Sequence, residues 1–78
     1  MIRVAIVGLG NISAAHIMAY KTFPERCKLV AMVDILPEKA RKRAEEFGVD
    51  CEIFDDHHKI LDRDDIDLVD VCTPPYVH

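Results

Sequence analysis

An α/β fold built on a parallel sheet is predicted here by three observations. Short β-branched apolar runs recur along the chain, residues at helical spacing fill the intervals between them, and a glycine turn joins the first run to the first helix. Parallel neighbours need a long crossover, and β-α-β crossovers are right-handed in nearly every known case. The composition suits such a fold: 50% hydrophobic and 31% charged residues over 78 positions allow one modest core and place the chain with folded domains rather than disordered or fibrous ones.

The first strand is expected over Ile2 to Val7, whose apolar character reads as burial on both faces. Asn11 to about Thr22 follows as a helix, with Ile12, Ala15, Ala19 and Phe23 expected inward and Pro24 stopping it. Lys28 to Val33 is the second strand, closed by Asp34. The second helix is the best signalled element. Pro37 suits its first turn, Glu38 its positive end and Gly48 the residue just past its end, while Ala40, Ala44 and Phe47 recur on one side. Cys51 to Phe54 reads as a short third strand, and Asp56 to Leu61 as a short helix contributing Ile60 and Leu61. Asp67 to Cys72 is the fourth strand, broken off by Thr73-Pro74-Pro75, where prolines deny the ladder its donors. The expected strand order is 3-2-1-4 with helices on both faces, a partial Rossmann fold. In that order ligands bind where the chain reverses its direction of growth, at the carboxyl ends of the first and fourth strands.

Composition also narrows the partners. A net charge of −4 offers no basic stripe for nucleic acid or an anionic membrane, and the apolar run Val4 to Val7 is far short of the ~20 residues that span a bilayer. Cys27, Cys51 and Cys72 are odd in number and lack a C-x-x-C pair, which reads as reduced thiols in a cytoplasm. His57 and His58 are adjacent, so on a helix they would point about 100° apart; no metal site is expected.

Gly8-Leu9-Gly10-Asn11-Ile12-Ser13 nearly matches the dinucleotide fingerprint G-x-G-x-x-G/A and stands between a strand and a helix, where that fingerprint must stand. Gly8 permits the tight turn, Gly10 lets the backbone approach a pyrophosphate, and the helix start at Asn11 and Ile12 offers free N–H groups. Ser13 replaces the usual third glycine or alanine, with slight loosening expected. Asp34 lies roughly 20 residues further on, the position of an acid that accepts hydrogen bonds from an adenosine ribose. Its carboxylate would repel the extra phosphate of NADP, and Ile35 and Leu36 supply no positive charge to receive it. NAD is therefore the expected cofactor, with NADP disfavoured unless Arg41 swings back.

Val-Ala-Ile-Val-Gly-Leu-Gly at 4 to 10, Val-Asp at 33 to 34, Ala-Arg-Lys-Arg-Ala-Glu-Glu-Phe-Gly at 40 to 48 and Val-Cys-Thr-Pro-Pro-Tyr-Val-His at 71 to 78 together resemble the amino-terminal NAD(P)-binding domain of the Gfo/Idh/MocA oxidoreductases. The resemblance implies that Thr73 and Pro74 line the crevice near the nicotinamide, with His78 close behind, and that the full-length parent exchanges hydride with a sugar or polyol. It also implies a later strand bearing Glu-Lys-Pro and a separate substrate domain, neither of which lies within residues 1–78. The expectation is an incomplete, truncated domain with no catalytic residue of its own, inactive alone. Two other readings compete. One is a self-associating module that pairs through the open edge of the fourth strand into a homo-oligomer. The other is the nucleotide-binding part of an unrelated enzyme such as a methyltransferase, against which Thr73-Pro74-Pro75 argues.

Overall fold

The chain enters the sheet at its centre. In the computed structural model, which describes residues 1–72 apart from the side chains of residues 11 and 12, β1 (Ile2–Val7) is flanked on both sides. The chain continues through α1 (Asn11–Thr22), β2 (Cys27–Val33), α2 (Pro37–Phe47), β3 (Glu52–Phe54), a 3-10 turn at His57–Lys59, and β4 (Leu68–Val71). All pairings are parallel, in the order β3-β2-β1-β4. Val4, Ala5 and Ile6 are fully buried, as a strand covered on both faces requires.

Alternation along β1 sorts the core into two layers. Val4 and Ile6 join Leu29 and Met32 against Ile17 of α1 and Ala40 of α2. Ala5 joins Ala31, Val33 and Ile60 on the opposite face, with Phe54 and Ile66 packed around them. Both α-helices therefore lie on one face, and among the described residues the other is covered by the 3-10 turn, in place of the short helix expected over Asp56 to Leu61, and by the segment that follows it. A bulge in β2 keeps the layers in phase: Val4 pairs with Leu29 but Ala5 pairs with Ala31, leaving Val30 as an extra residue.

Helix α2 forms as its sequence signals. Pro37 sits at its start, and Gly48 follows it in the left-handed region at φ 64°, which a glycine adopts without strain. Lys21 donates to the Phe47 carbonyl and ties the two helices together. Helix α1 turns a different side inward from the one expected. Ser13 and Ile17 are fully buried and His16 and Tyr20 partly so, whereas Ala15, Ala19 and Phe23 are exposed. Alanine and larger apolar residues surround this helix, so periodicity alone could not choose its face. Leu61 is likewise exposed, and Ile60 alone anchors its segment.

β4 is fastened at its amino end. Asp67 accepts the Arg3 backbone N–H at 2.8 Å and the Arg3 Nε at 3.0 Å, and its own N–H donates to the Arg3 carbonyl at 2.8 Å. The Arg3 guanidinium holds the Asp67 carboxyl down at about 2.

Candidate functional site

At the carboxyl end of the sheet, β1 runs through Gly8, Leu9 and Gly10 into α1. Gly8 has φ 90°, a region that would cost a residue with a Cβ roughly 1–2 kcal/mol, and its N–H donates to the Val33 carbonyl at 2.8 Å. Leu9 is buried in the core beneath the helices and anchors the turn. A Cβ added at Gly10 would meet nothing within 4 Å, so the glycine leaves open the approach to the start of α1. No side chain caps that helix, and the first N–H groups of a helix have no partner within it and carry its positive dipole end. Ser13 does more than fill the third fingerprint position. It is fully buried, and its Oγ donates to the Gly10 carbonyl at 2.6 Å, which bonds the helix start to the turn.

Asp34 reaches back to the same turn. Its Oδ2 accepts the Leu9 N–H and its Oδ1 the Leu36 N–H, both at 2.9 Å. A carboxylate offers about four lone-pair sites, so two donors leave room for a pair of ribose hydroxyls. Gly8, Gly10 and Asp34 line one crevice of about 800 Å³, within the ~300–1,000 Å³ usual for small-molecule sites. The turn and the acid, identified separately in the sequence, thus face a common space and are bonded to each other.

Other residues lining the crevice had no signal in the sequence. Asp55, Asp56, His57 and Lys59 arrive from the segment after β3, Lys39 from the first turn of α2, and Cys72 from beyond β4. Only the tertiary fold brings them there. Lys39 places a cation in the crevice with Asp34, although Ile35 and Leu36 carry none. Arg43 lies nearby and donates to the Gly10 carbonyl at 3.5 Å. A separate groove of about 280 Å³, lined by Met1, Pro24, Lys28 and Val49 among others, lies apart from the glycine turn. Of the remaining expected positions, Asn11 and Ile12 open α1 with their side chains outside the described residues, and Thr73, Pro74 and His78 lie outside the described residues altogether.

Among the described residues, two clusters bring metal-ligating side chains together. The ligand atoms of Asp56, His57 and His58 lie within 4.8 Å of one another, all exposed. The second cluster sits between α1 and β4. Asp70 Oδ2 lies 2.5 Å from His16 Nδ1 and accepts the Tyr20 hydroxyl at 2.6 Å, while Cys72 Sγ is 3.7 Å from Asp70 Oδ1. Burial pushes the Asp70 carboxyl up, but the hydrogen bonds from Tyr20 and His16 outweigh it and leave the group below the usual carboxylate range. Burial, with the Asp70 charge adding to it, pushes the Cys72 thiol up to about 11. Among the described residues, no helix is long and apolar enough to cross a membrane.

Comparison with known proteins agrees with this fold. Residues 2–78 match the family model described as the oxidoreductase family, NAD-binding Rossmann fold. The chain is 29% identical over 68 residues to inositol 2-dehydrogenase of Burkholderia cenocepacia (strain HI2424), which covers 87% of this chain and 20% of that protein. It superposes on myo-inositol dehydrogenase from Lactobacillus casei, solved in complex with NAD(H) and myo-inositol, with a TM-score of 0.85 and 27% identity over 94% of this chain and 22% of that one. It also superposes on a 3-ketoreductase from Actinomadura kijaniata, solved with TDP-benzene and NADP, with a TM-score of 0.83 and 28% identity over 99% of this chain and 24% of that one. The chain spans about a fifth of the length of the curated relatives it matches.

Proposed function

The chain belongs to the Gfo/Idh/MocA oxidoreductase family, as its NAD-binding Rossmann domain, and on that premise we propose that it binds NAD in the crevice between the Gly8–Gly10 turn and Asp34. The observation that carries this reading is the shared crevice itself, in which the turn and Asp34 are joined through the Leu9 N–H. The amides at the start of α1, from Asn11 and Ile12 onward, hold the diphosphate, and Asp34 accepts the hydroxyls of the adenosine ribose. The family resemblance extends the proposal to Thr73, Pro74 and His78, which lie outside the described residues, as partners of the nicotinamide half. A bound nicotinamide cofactor supplies the hydride chemistry, while this chain binds and orients it.

Asp34 disfavours the additional phosphate of NADP, and Lys39 in the same crevice partly offsets that effect, so NAD binds more tightly while NADP retains weaker affinity. Both cofactors occur among the structural relatives, NAD(H) with the inositol dehydrogenase and NADP with the ketoreductase. The whole protein's activity is hydride exchange with a sugar or polyol in the cytoplasm. Residues 1–78 are the cofactor-binding part of a larger Rossmann domain, and the acid–base groups and substrate domain belong to the rest of such a protein. A site occupied by NAD at a hundredfold excess over its Kd gains about 2.7 kcal/mol, or roughly 10–20 °C in melting temperature for a domain of this size. Asp34→Ala should cut that gain sharply when each variant is compared with its own unliganded melt, since the substitution also removes the bonds to Leu9 and Leu36. An unchanged melting temperature in saturating NAD, or protection by S-adenosylmethionine instead, would overturn the reading.

A second reading rests on the open edge. β4 is the last strand of the sheet among the described residues, and Leu68, Val69 and Val71 are 44%, 41% and 56% exposed. Such an edge pairs readily with another copy, which favours a homo-oligomer joined through β4.

A further inference from the structure

We propose that His16, Asp70 and Cys72 form a binding site for one zinc-type divalent ion, held between the middle of α1 and the carboxyl end of β4. The three side chains supply nitrogen, oxygen and sulfur, and their ligand atoms all lie within 4.8 Å of one another. That donor set selects zinc and its neighbours over magnesium or calcium, which take oxygen ligands. It departs from the sequence expectation of no metal site because His16 is 54 residues from Asp70 and meets it and Cys72 only in the fold.

The arrangement is fixed from several directions. Asp70 in β4 and Cys72 just past its end are two residues apart along the line of the strand and so point to the same face, the face that α1 covers. The Cys72 N–H donates to the Val7 carbonyl at 2.8 Å, which sets its height against β1. Tyr20, one helical turn beyond His16, donates to Asp70 at 2.6 Å and acts as the outer partner that orients a ligating carboxylate. Cys72 is 5% exposed and the His16 side chain 39%, so the cluster has a closed floor and one side open to an entering ion and a bound water.

The distances are near those a metal needs. Tetrahedral bonds of about 2.0–2.3 Å place neighbouring ligand atoms roughly 3.3–3.6 Å apart. Cys72 Sγ and Asp70 Oδ1 stand at 3.7 Å already. His16 Nδ1 and Asp70 Oδ2, at 2.5 Å, must separate by less than about 1.5 Å, a displacement open to a partly exposed histidine. On binding, the Cys72 S–H bond is replaced by a sulfur–metal bond and the proton passes to solvent, with no change of oxidation state. The Asp56, His57 and His58 cluster is the weaker candidate, since it is wholly exposed, lacks sulfur and draws all three ligands from consecutive residues.

Titration of the reduced protein with Co²⁺ tests the proposal. One equivalent should bind with the near-ultraviolet thiolate-to-cobalt band and the intense visible bands of tetrahedral cobalt, and Zn²⁺ should bleach both stoichiometrically. Cys72→Ser should abolish the near-ultraviolet band, whereas Cys51→Ser should keep it. If Cys72→Ser proves unfolded by circular dichroism, His16→Ala decides the matter: partly exposed, it should fold and lose at least about tenfold in Co²⁺ affinity. A wild-type protein that shows no band at millimolar Co²⁺, a band that survives Cys72→Ser, or an affinity unmoved by His16→Ala would overturn the site and leave a hydrogen-bonded network that serves Asp70 alone.

Discussion

The two faces of the sheet are built to different depths. On the helix side, Val4, Ile6, Leu29 and Met32 meet Leu9, Ile17 and Ala40 in a layer of large side chains. On the other side, Ala5 and Ala31 are paired neighbours that make a shallow floor, filled by Ile60 from a short segment. Among the described residues even that cover runs out toward β4, where Val69 and Val71 are exposed. The difference shows where this chain carries its own stability and where it presents surface. Both α-helices serve the face that carries the glycine turn's anchor, so the crevice beside that turn is supported by the deeper layer.

Truncations on the two faces would sharpen this contrast most. Ile17→Ala removes a fully buried side chain wedged between α1 and the sheet, where the surroundings cannot collapse, and is expected to cost about 3–5 kcal/mol. Ile60→Ala removes an equally buried side chain from a short segment that can settle onto Ala5 and Ala31, so a cost nearer 2 kcal/mol is expected. Urea unfolding of both variants measures the difference, and equal costs would break the comparison.

Acid should loosen the β4 edge first. Asp67 is held at about 2 by Arg3, below its unfolded value near 3.9, so the stability it lends is fully present above that value and is lost as pH falls from about 4 toward 2. Asp70 is shifted in the same direction. Both acids belong to β4 or its entry, so hydrogen exchange should show β4 amides losing protection at a higher pH than those of β2. The smallest expected effect on stability is that of Val71→Lys, within about 0.5 kcal/mol on an exposed edge. Its effect on assembly should be larger, because an edge lysine opposes strand pairing. Sedimentation of the wild type as an oligomer and of Val71→Lys as a monomer would support pairing through β4, whereas a monomeric wild type at micromolar concentration would exclude it.

What could be read in advance followed how local each signal was. β1 was legible because its run from Val4 to Val7 is apolar and stops at its glycine, with Arg3 near the start. Helix α2 was legible because proline, glycine and a single apolar side agree. The strand order followed from the alternation of elements and the handedness of crossovers. Helix α1 was found, but its inward face was not, since Ala14, Ala15, Met18 and Ala19 make several sides apolar and Ser13 is buried through a hydrogen bond rather than hydrophobicity. Gly8, Gly10 and Asp34 were legible by spacing. Lys39, His57 and Lys59 were not, because no spacing rule links the first turn of one helix and a loop after β3 to the same crevice.

The extra residue in β2 bears on how this fold tolerates change in length. Val30 lets Leu29 and Met32 point into the same layer although three positions separate them. The amino half of the strand can therefore keep step with Ile2 and Arg3, while the half leading to Asp34 keeps step with Ile6 and Val7. Loss of one residue at the bulge would restore an uninterrupted ladder and leave the acid at the tip facing as before. The same loss between Met32 and Asp34 would turn that carboxylate to the opposite side of the sheet.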